Sequence, residues 1–155
     1  MNINEEIGVN MYYFAYGMNT NNAQMSARCD AKNLGIACLK GYKLVMRTHA
    51  DIAINDNDQV FGVLWEITHD DLIALDMLEG YPYYYDRIRV NVYHNNTIVT
   101  AYVYIMNDNH YSYSPSITYV KCIENGYREN DISLSQLHDA LIELYDNEEY
   151  YENGW

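Results

Sequence analysis

Apolar and aromatic residues fill the first two-thirds of this chain in strand-like runs broken by polar turns. Residues 11–16 (MYYFAY) make one such run, which stops at Gly17. Residues 36–47 predict two strands bent at Gly41. Residues 51–55 and 60–67 predict two more, joined by the polar turn Asn55-Asp56-Asn57-Asp58. Residues 85–94 and 97–106 predict a hairpin around His94-Asn95-Asn96.

Helical spacing takes over elsewhere. Met18 to Cys29 reads as a turn leading into a short helix. Thr68 opens the clearest helix: it is a capping residue type, Asp70 and Asp71 follow in the first turn where negative charge suits the dipole, and Gly80 stands where a left-handed cap belongs. Leu72, Leu75 and Leu78 are expected to form its apolar stripe. Residues 116–127 and 133–147 have helical spacing too, with Ser133 as a cap and Leu134, Leu137, Leu141 and Leu144 on one face. Strands first and helices around them predict an α+β fold, with a mixed or antiparallel sheet curled or closed into a β-barrel and flanked by α-helices. The 155 residues predict a single domain, 1–155, with residues 1–10 an N-terminal extension and the acidic end 148–155 flexible.

Charge narrows the partners. A net charge of −13 argues against nucleic acid and against an anionic membrane surface. No apolar run approaches the roughly 20 residues that span a bilayer, and residues 1–10 lack the basic and apolar regions of a secretory signal. Cys29, Cys38 and Cys122 are odd in number and widely spaced, which suits reduced core thiols in a cytoplasmic protein. The five histidines, His49, His69, His94, His110 and His138, fall on turns and exposed faces and show no metal-ligand rhythm, so no metal is expected. The 18 tyrosines read mostly as half-buried strand residues. A monomer is the expectation at this size.

Two places stand out for chemistry. Glu79 lies four residues after Leu75 and seven after Leu72, which puts its carboxylate on the buried side of the helix. A carboxylate there loses solvation, and its pKa rises toward the range of a general base. The competing reading is a solvated glutamate in a last helical turn. Against that stands the poor match of an acidic group to a helix C-terminus, a local cost without structural gain. The second place is Tyr16-Gly17-Met18-Asn19, where a strand ends and a short helix opens. Such a turn leaves backbone N–H groups for a carboxylate or an oxyanion. Many strand–turn–helix junctions look alike, so that signal is weak alone.

Together these segments resemble the γ-glutamylcyclotransferase and AIG2-like family. Tyr13-Phe14-Ala15-Tyr16-Gly17-Met18-Asn19, followed by Met25 and Arg28, is similar to the family's opening strand, Tyr-Gly-Ser-Asn turn and following Arg. Phe61-Gly62-Val63-Leu64-Trp65 is similar to its Gly-x-Leu-Trp strand. Leu75 to Pro82, continuing to Tyr85 and Arg87, is similar to its Leu-Asp-x-x-Glu-Gly segment and Tyr-x-Arg. Ala101 to Tyr104 and Tyr119 to Gly126 are similar to its late strand and its tyrosine-bearing helix. The set covers roughly residues 12–130 in the family's order. One position departs: Met18 stands where the family has serine.

The resemblance implies a cofactor-free enzyme that releases 5-oxoproline and a free amine from a small γ-glutamyl compound. Glu79 would be its acid–base, and Tyr16, Gly17, Met18, Asn19, Arg28, Tyr85 and Tyr119 would bind substrate. Arg28 reads equally as a surface residue paired with Asp30, and Tyr85 and Tyr119 as packing residues. Arg87 reads as structural. The alternatives are another acyl transfer on a γ-glutamyl tail and a relative of the same fold that binds a metabolite or protein without turnover, which Met18 motivates.

Overall fold

The computed structural model describes residues 10–107 and 114–152. Five strands close into a barrel in the order β1-β3-β2-β4-β5. They are β1 (Met11–Ala15), β2 (Lys32–Met46), β3 (Ala50–Ile67), β4 (Tyr85–His94) and β5 (Thr97–Met106). β1 runs antiparallel to β3 and parallel to β5, and the other pairs are antiparallel. Closure leaves no sheet edge among these strands. Phe14, Val63, Leu64, Val92 and Val103 are wholly buried in the core. The expected α+β barrel is therefore the fold.

Four helices flank the barrel: α1 (Asn22–Arg28), α2 (His69–Glu79), α3 (Ile117–Glu129) and α4 (Ser135–Glu152). A single 3-10 turn, Met18–Thr20, precedes α1. α4 continues through Glu152, into the segment expected to fray. Residues 1–9 and 153–155, from the two terminal stretches singled out in the sequence, lie outside the described residues, as does His110. Among the described residues no helix is long and apolar enough to cross a membrane.

Three features differ from expectation. β2 begins at Lys32 and passes through Gly41 as one strand, with a register shift between Lys40 and Tyr42. β3 likewise runs unbroken, because the tetrad Asn55 to Asp58 is absorbed as the other side of that shift: Tyr42 pairs with Ile54, Lys40 with Gln59. A bulge of this kind lets a polar insertion protrude without ending the strand. The third is Leu78, which is 51% exposed while Leu75 is fully buried. Seven residues bring a helix back to within about 20° of the starting face, whereas six leave it far round the cylinder. Leu72 and Leu75 thus share their face with position 79, not 78.

α2 is well specified at both ends. The Thr68 side chain accepts from Asp71 N and the Asp71 side chain accepts from Thr68 N, a reciprocal cap. Gly80 terminates the helix at φ 65°, a left-handed conformation that costs glycine nothing. α3 is set against the 3-10 turn at Gly126: a Cβ there would stand 2.3 Å from Thr20 Oγ1 and 2.7 Å from Asn21 N. Only a residue without a side chain allows that approach.

Candidate active site

The turn after β1 is held by its carbonyls. Tyr127 Oη donates to Tyr16 O at 2.6 Å, Thr20 Oγ1 to Gly17 O at 2.7 Å, Asn21 N to Met18 O at 3.1 Å, and Trp65 Nε1 to Asn19 O at 3.0 Å. With every main-chain carbonyl of Tyr16 to Asn19 taken, the turn has its backbone donors left over. The N–H groups of Gly17, Met18 and Asn19 have no acceptor among the described residues. Successive free amides of this kind make an anion-binding concavity.

That turn forms one wall of a cavity of about 460 Å³. Glu79 reaches the same cavity from the end of α2. Burial, opposed by Arg28, raises the Glu79 pKa above the ordinary glutamate value. Its contact with the turn is a long one, Asn19 Nδ2 to Glu79 Oε1 at 3.5 Å. Asn19 Nδ2 also donates to Tyr13 Oη at 3.1 Å, and Asn19 Oδ1 is left buried without a partner among the described residues. A buried orphan oxygen is a local cost, of the kind that functional sites carry.

All eight residues singled out in the sequence line this cavity: Tyr16, Gly17, Met18, Asn19, Arg28, Glu79, Tyr85 and Tyr119. Arg28 forms no ion pair with Asp30. Among the described residues it is the only Lys or Arg in the lining, and its place in the last turn of α1 suits that helix's dipole. Tyr85 and Tyr119 take hold of one residue between them: Tyr85 Oη donates to Ala50 O at 2.9 Å, and Ala50 N donates to Tyr119 Oη at 2.8 Å. Arg87 lies outside the cavity. It pairs with Asp76 and covers the rings of Tyr81 and Tyr102 at 4.5 and 5.1 Å.

The other lining residues were not singled out for the site in the sequence. Tyr13, Tyr104, Tyr84, Gln24, Ser116 and Thr118 complete the walls together with His49, Ala50, Leu78 and Cys122. His49 stands on an exposed bend, as expected, and its ring also packs against Tyr119 with centroids 5.1 Å apart, where partial burial lowers its pKa. Cys122 and its two fellow thiols are free and half-buried rather than core residues. The tyrosines, too, do more than fill strands: Tyr16 Oη donates to Tyr104 O at 2.6 Å, and Tyr104 Oη to Asp76 Oδ1 at 2.7 Å.

None of the curated proteins matches this chain. Among solved structures, a gamma-glutamyl cyclotransferase is 28% identical, with 84% of this chain and 86% of that one covered and a TM-score of 0.77. An uncharacterized protein from Homo sapiens, loc79017, is 29% identical with 84% and 86% covered and a TM-score of 0.76. A yeast gamma-glutamyl cyclotransferase specific to glutathione shares the fold at 13% identity, with 89% and 96% covered and a TM-score of 0.57. The family model described as gamma-glutamyl cyclotransferase, AIG2-like, matches residues 13–122, and the chain accordingly belongs to that family.

Proposed function

We propose that this protein cyclises a small γ-glutamyl compound, releasing 5-oxoproline and a free amine, with Glu79 carrying the protons. The observation that carries this reading is a desolvated carboxylate sharing one cavity with three unclaimed backbone donors. Family membership and the gamma-glutamyl cyclotransferase named among its structural neighbours support it.

The substrate contains its own nucleophile. Glu79, ionised, takes one proton from the α-ammonium. The freed amine attacks the γ-carbonyl carbon, and the carbonyl electrons move to oxygen. The N–H groups of Gly17, Met18 and Asn19 stabilise that oxyanion, each donor of this kind contributing about 3 kcal/mol. Glu79 then passes its proton to the departing nitrogen as the carbon–nitrogen bond breaks, and collects the second proton from the new ring nitrogen. That proton leaves with the amine, which ends as an ammonium. Holding the substrate curled supplies up to roughly 7–11 kcal/mol, so the protein needs few catalytic groups.

In this role Met18 contributes its main-chain amide, and a methionine serves as well as the family's serine. Arg28 binds the substrate's α-carboxylate. The test is a panel of γ-glutamyl amines, γ-glutamyl amino acids and glutathione assayed for 5-oxoproline. Release that disappears in Glu79→Gln supports the reading. No release from any member makes this chain a binding relative of the same fold, and release that survives the substitution removes Glu79 from the chemistry.

A further inference from the structure

The chain leaving α2 carries large apolar side chains outward. Met77, Leu78, Tyr83 and Tyr84 are between 36% and 87% exposed. Main-chain bonds hold the segment in shape: Gly80 N donates to Met77 O at 3.3 Å, Tyr81 N to Asp76 O at 3.0 Å, and Tyr83 N and Tyr84 N both donate to Gly80 O at 2.8 Å. Asn107 Nδ2 fastens it from β5, donating to Pro82 O and Tyr83 O at 2.7 and 2.8 Å. Exposed apolar side chains gathered on a fixed backbone mark a contact surface.

This surface runs into the cavity. Leu78 and Tyr84 line it, and His49 joins them with its ring centroid 6.5 Å from that of Tyr84. Partial burial lowers the His49 pKa, so the imidazole stays mostly neutral at pH 7. Asp76, two residues before Leu78, is already engaged by Arg87 and Tyr104. The lining that α1 and the start of α3 supply is polar instead: Gln24 and Arg28, four residues apart on one helix, with Ser116 and Thr118. Of these two parts of the rim, the apolar one adjoins Glu79 in the chain. Glu79 is where the departing nitrogen receives its proton, so whatever that nitrogen carries begins its path beside Leu78.

We propose that Met77, Leu78, Tyr83 and Tyr84 form a leaving-group shelf, which selects γ-glutamyl amides of an amine with an aromatic or extended apolar body and no further charge. This rests on the cyclisation reading and adds to it which amine is released. A leaving amino acid would bring a carboxylate to a cavity whose one Lys or Arg among the described residues, Arg28, holds the α-carboxylate of the glutamyl part. A diamine would lay an ammonium on four side chains that have no carboxylate to offer. Either charge would shed water without gaining a partner, whereas a ring loses nothing by leaving water.

Four γ-glutamyl compounds test this, with methylamine, phenethylamine, phenylalanine or 1,4-diaminobutane as the leaving group. The full chain is assayed for 5-oxoproline and kcat/KM compared. The phenethylamine compound is expected to exceed the methylamine compound about tenfold or more, and to exceed the other two as well. Phenylalanine has the same ring plus a carboxylate, so it isolates the cost of the charge. Leu78→Ser and Tyr83→Ser are each expected to lower kcat/KM for the phenethylamine compound several-fold more than for the methylamine compound. If Leu78→Ser does not fold, the exposed Tyr83 decides the matter. A methylamine, phenylalanine or diaminobutane compound turned over as well as the phenethylamine one overturns the shelf, and so does a loss that falls equally on all four. Release with such a flat pattern leaves cyclisation standing. Release from none of the four overturns cyclisation, and the shelf with it.

Discussion

Two carboxylates leave the last turn of α2 three residues apart and meet opposite surroundings. Asp76 is fully employed: it pairs with Arg87 and accepts from Tyr104 Oη at 2.7 Å. Among the described residues Glu79 has a single hydrogen bond, 3.5 Å from Asn19, and it lines the cavity. The backbone, the residue chemistry and the helix end are shared, so partners alone separate them. A carboxylate whose acceptors are occupied holds structure together. One left unoccupied and desolvated is free to exchange a proton, and it makes the native state less stable to do so.

The largest effect that follows is on turnover. Glu79→Gln is expected to lower 5-oxoproline release by about 10²–10⁴-fold with the circular dichroism spectrum unchanged; equal loss in Asp76→Asn with its fold intact would erase the distinction between the two positions. The same substitution is expected to stabilise. Native Glu79 holds its proton to higher pH than it does in the unfolded chain. Between the two pKa values the native state therefore binds more protons, and its stability falls as pH rises through that window and stays lower above it. Tm at pH 7–8 should be higher in Glu79→Gln than in the native protein, and the gap should close below the ordinary glutamate value of 4.5. On the activity side, kcat/KM should fall with decreasing pH along a limb whose midpoint lies above that value.

Next comes the employed carboxylate. Arg87→Met leaves Asp76 half-buried with one partner fewer and should cost about 1–3 kcal/mol in chemical denaturation, with a much smaller effect on kcat. A kcat loss as large as that of Glu79→Gln would mean that the brace and the base are not separate. Arg28→Met should raise KM about tenfold or more while kcat changes less, since it removes a binding charge and not a proton carrier. The smallest effect is expected at the far end of the same helix: Thr68→Ala removes the reciprocal cap and should cost about 1 kcal/mol without changing the acid limb of the pH profile.

Spacing made Glu79 legible, because a seven-residue step returns to the same helix face and the two leucines mark that face as buried. The turn at Gly17 was legible as a junction between a strand and a helix. Its free N–H groups were legible too, but not what holds its carbonyls, since Tyr127 and Trp65, which claim two of them, lie more than forty residues away. His49, Tyr84 and Cys122 come to the cavity from three separate parts of the chain, and no local pattern announces them. The register shift at Lys40 and Tyr42 was missed for a related reason. A polar tetrad such as Asn55 to Asp58 signals a turn in isolation, and only its pairing partner turns it into a bulge.

The bare backbone of Gly126 has a consequence for how the cavity moves. α3 carries Tyr119 on one wall and, seven residues on, grips the turn that bears the three amides. Tilting this one rod would shift the hydroxyl and the amides in concert. Their mutual spacing would then survive thermal jostling better than their distance to Glu79, which rides on a different helix. Gly126→Ala would wedge rod and turn apart, detuning the whole wall from a site that no substrate touches.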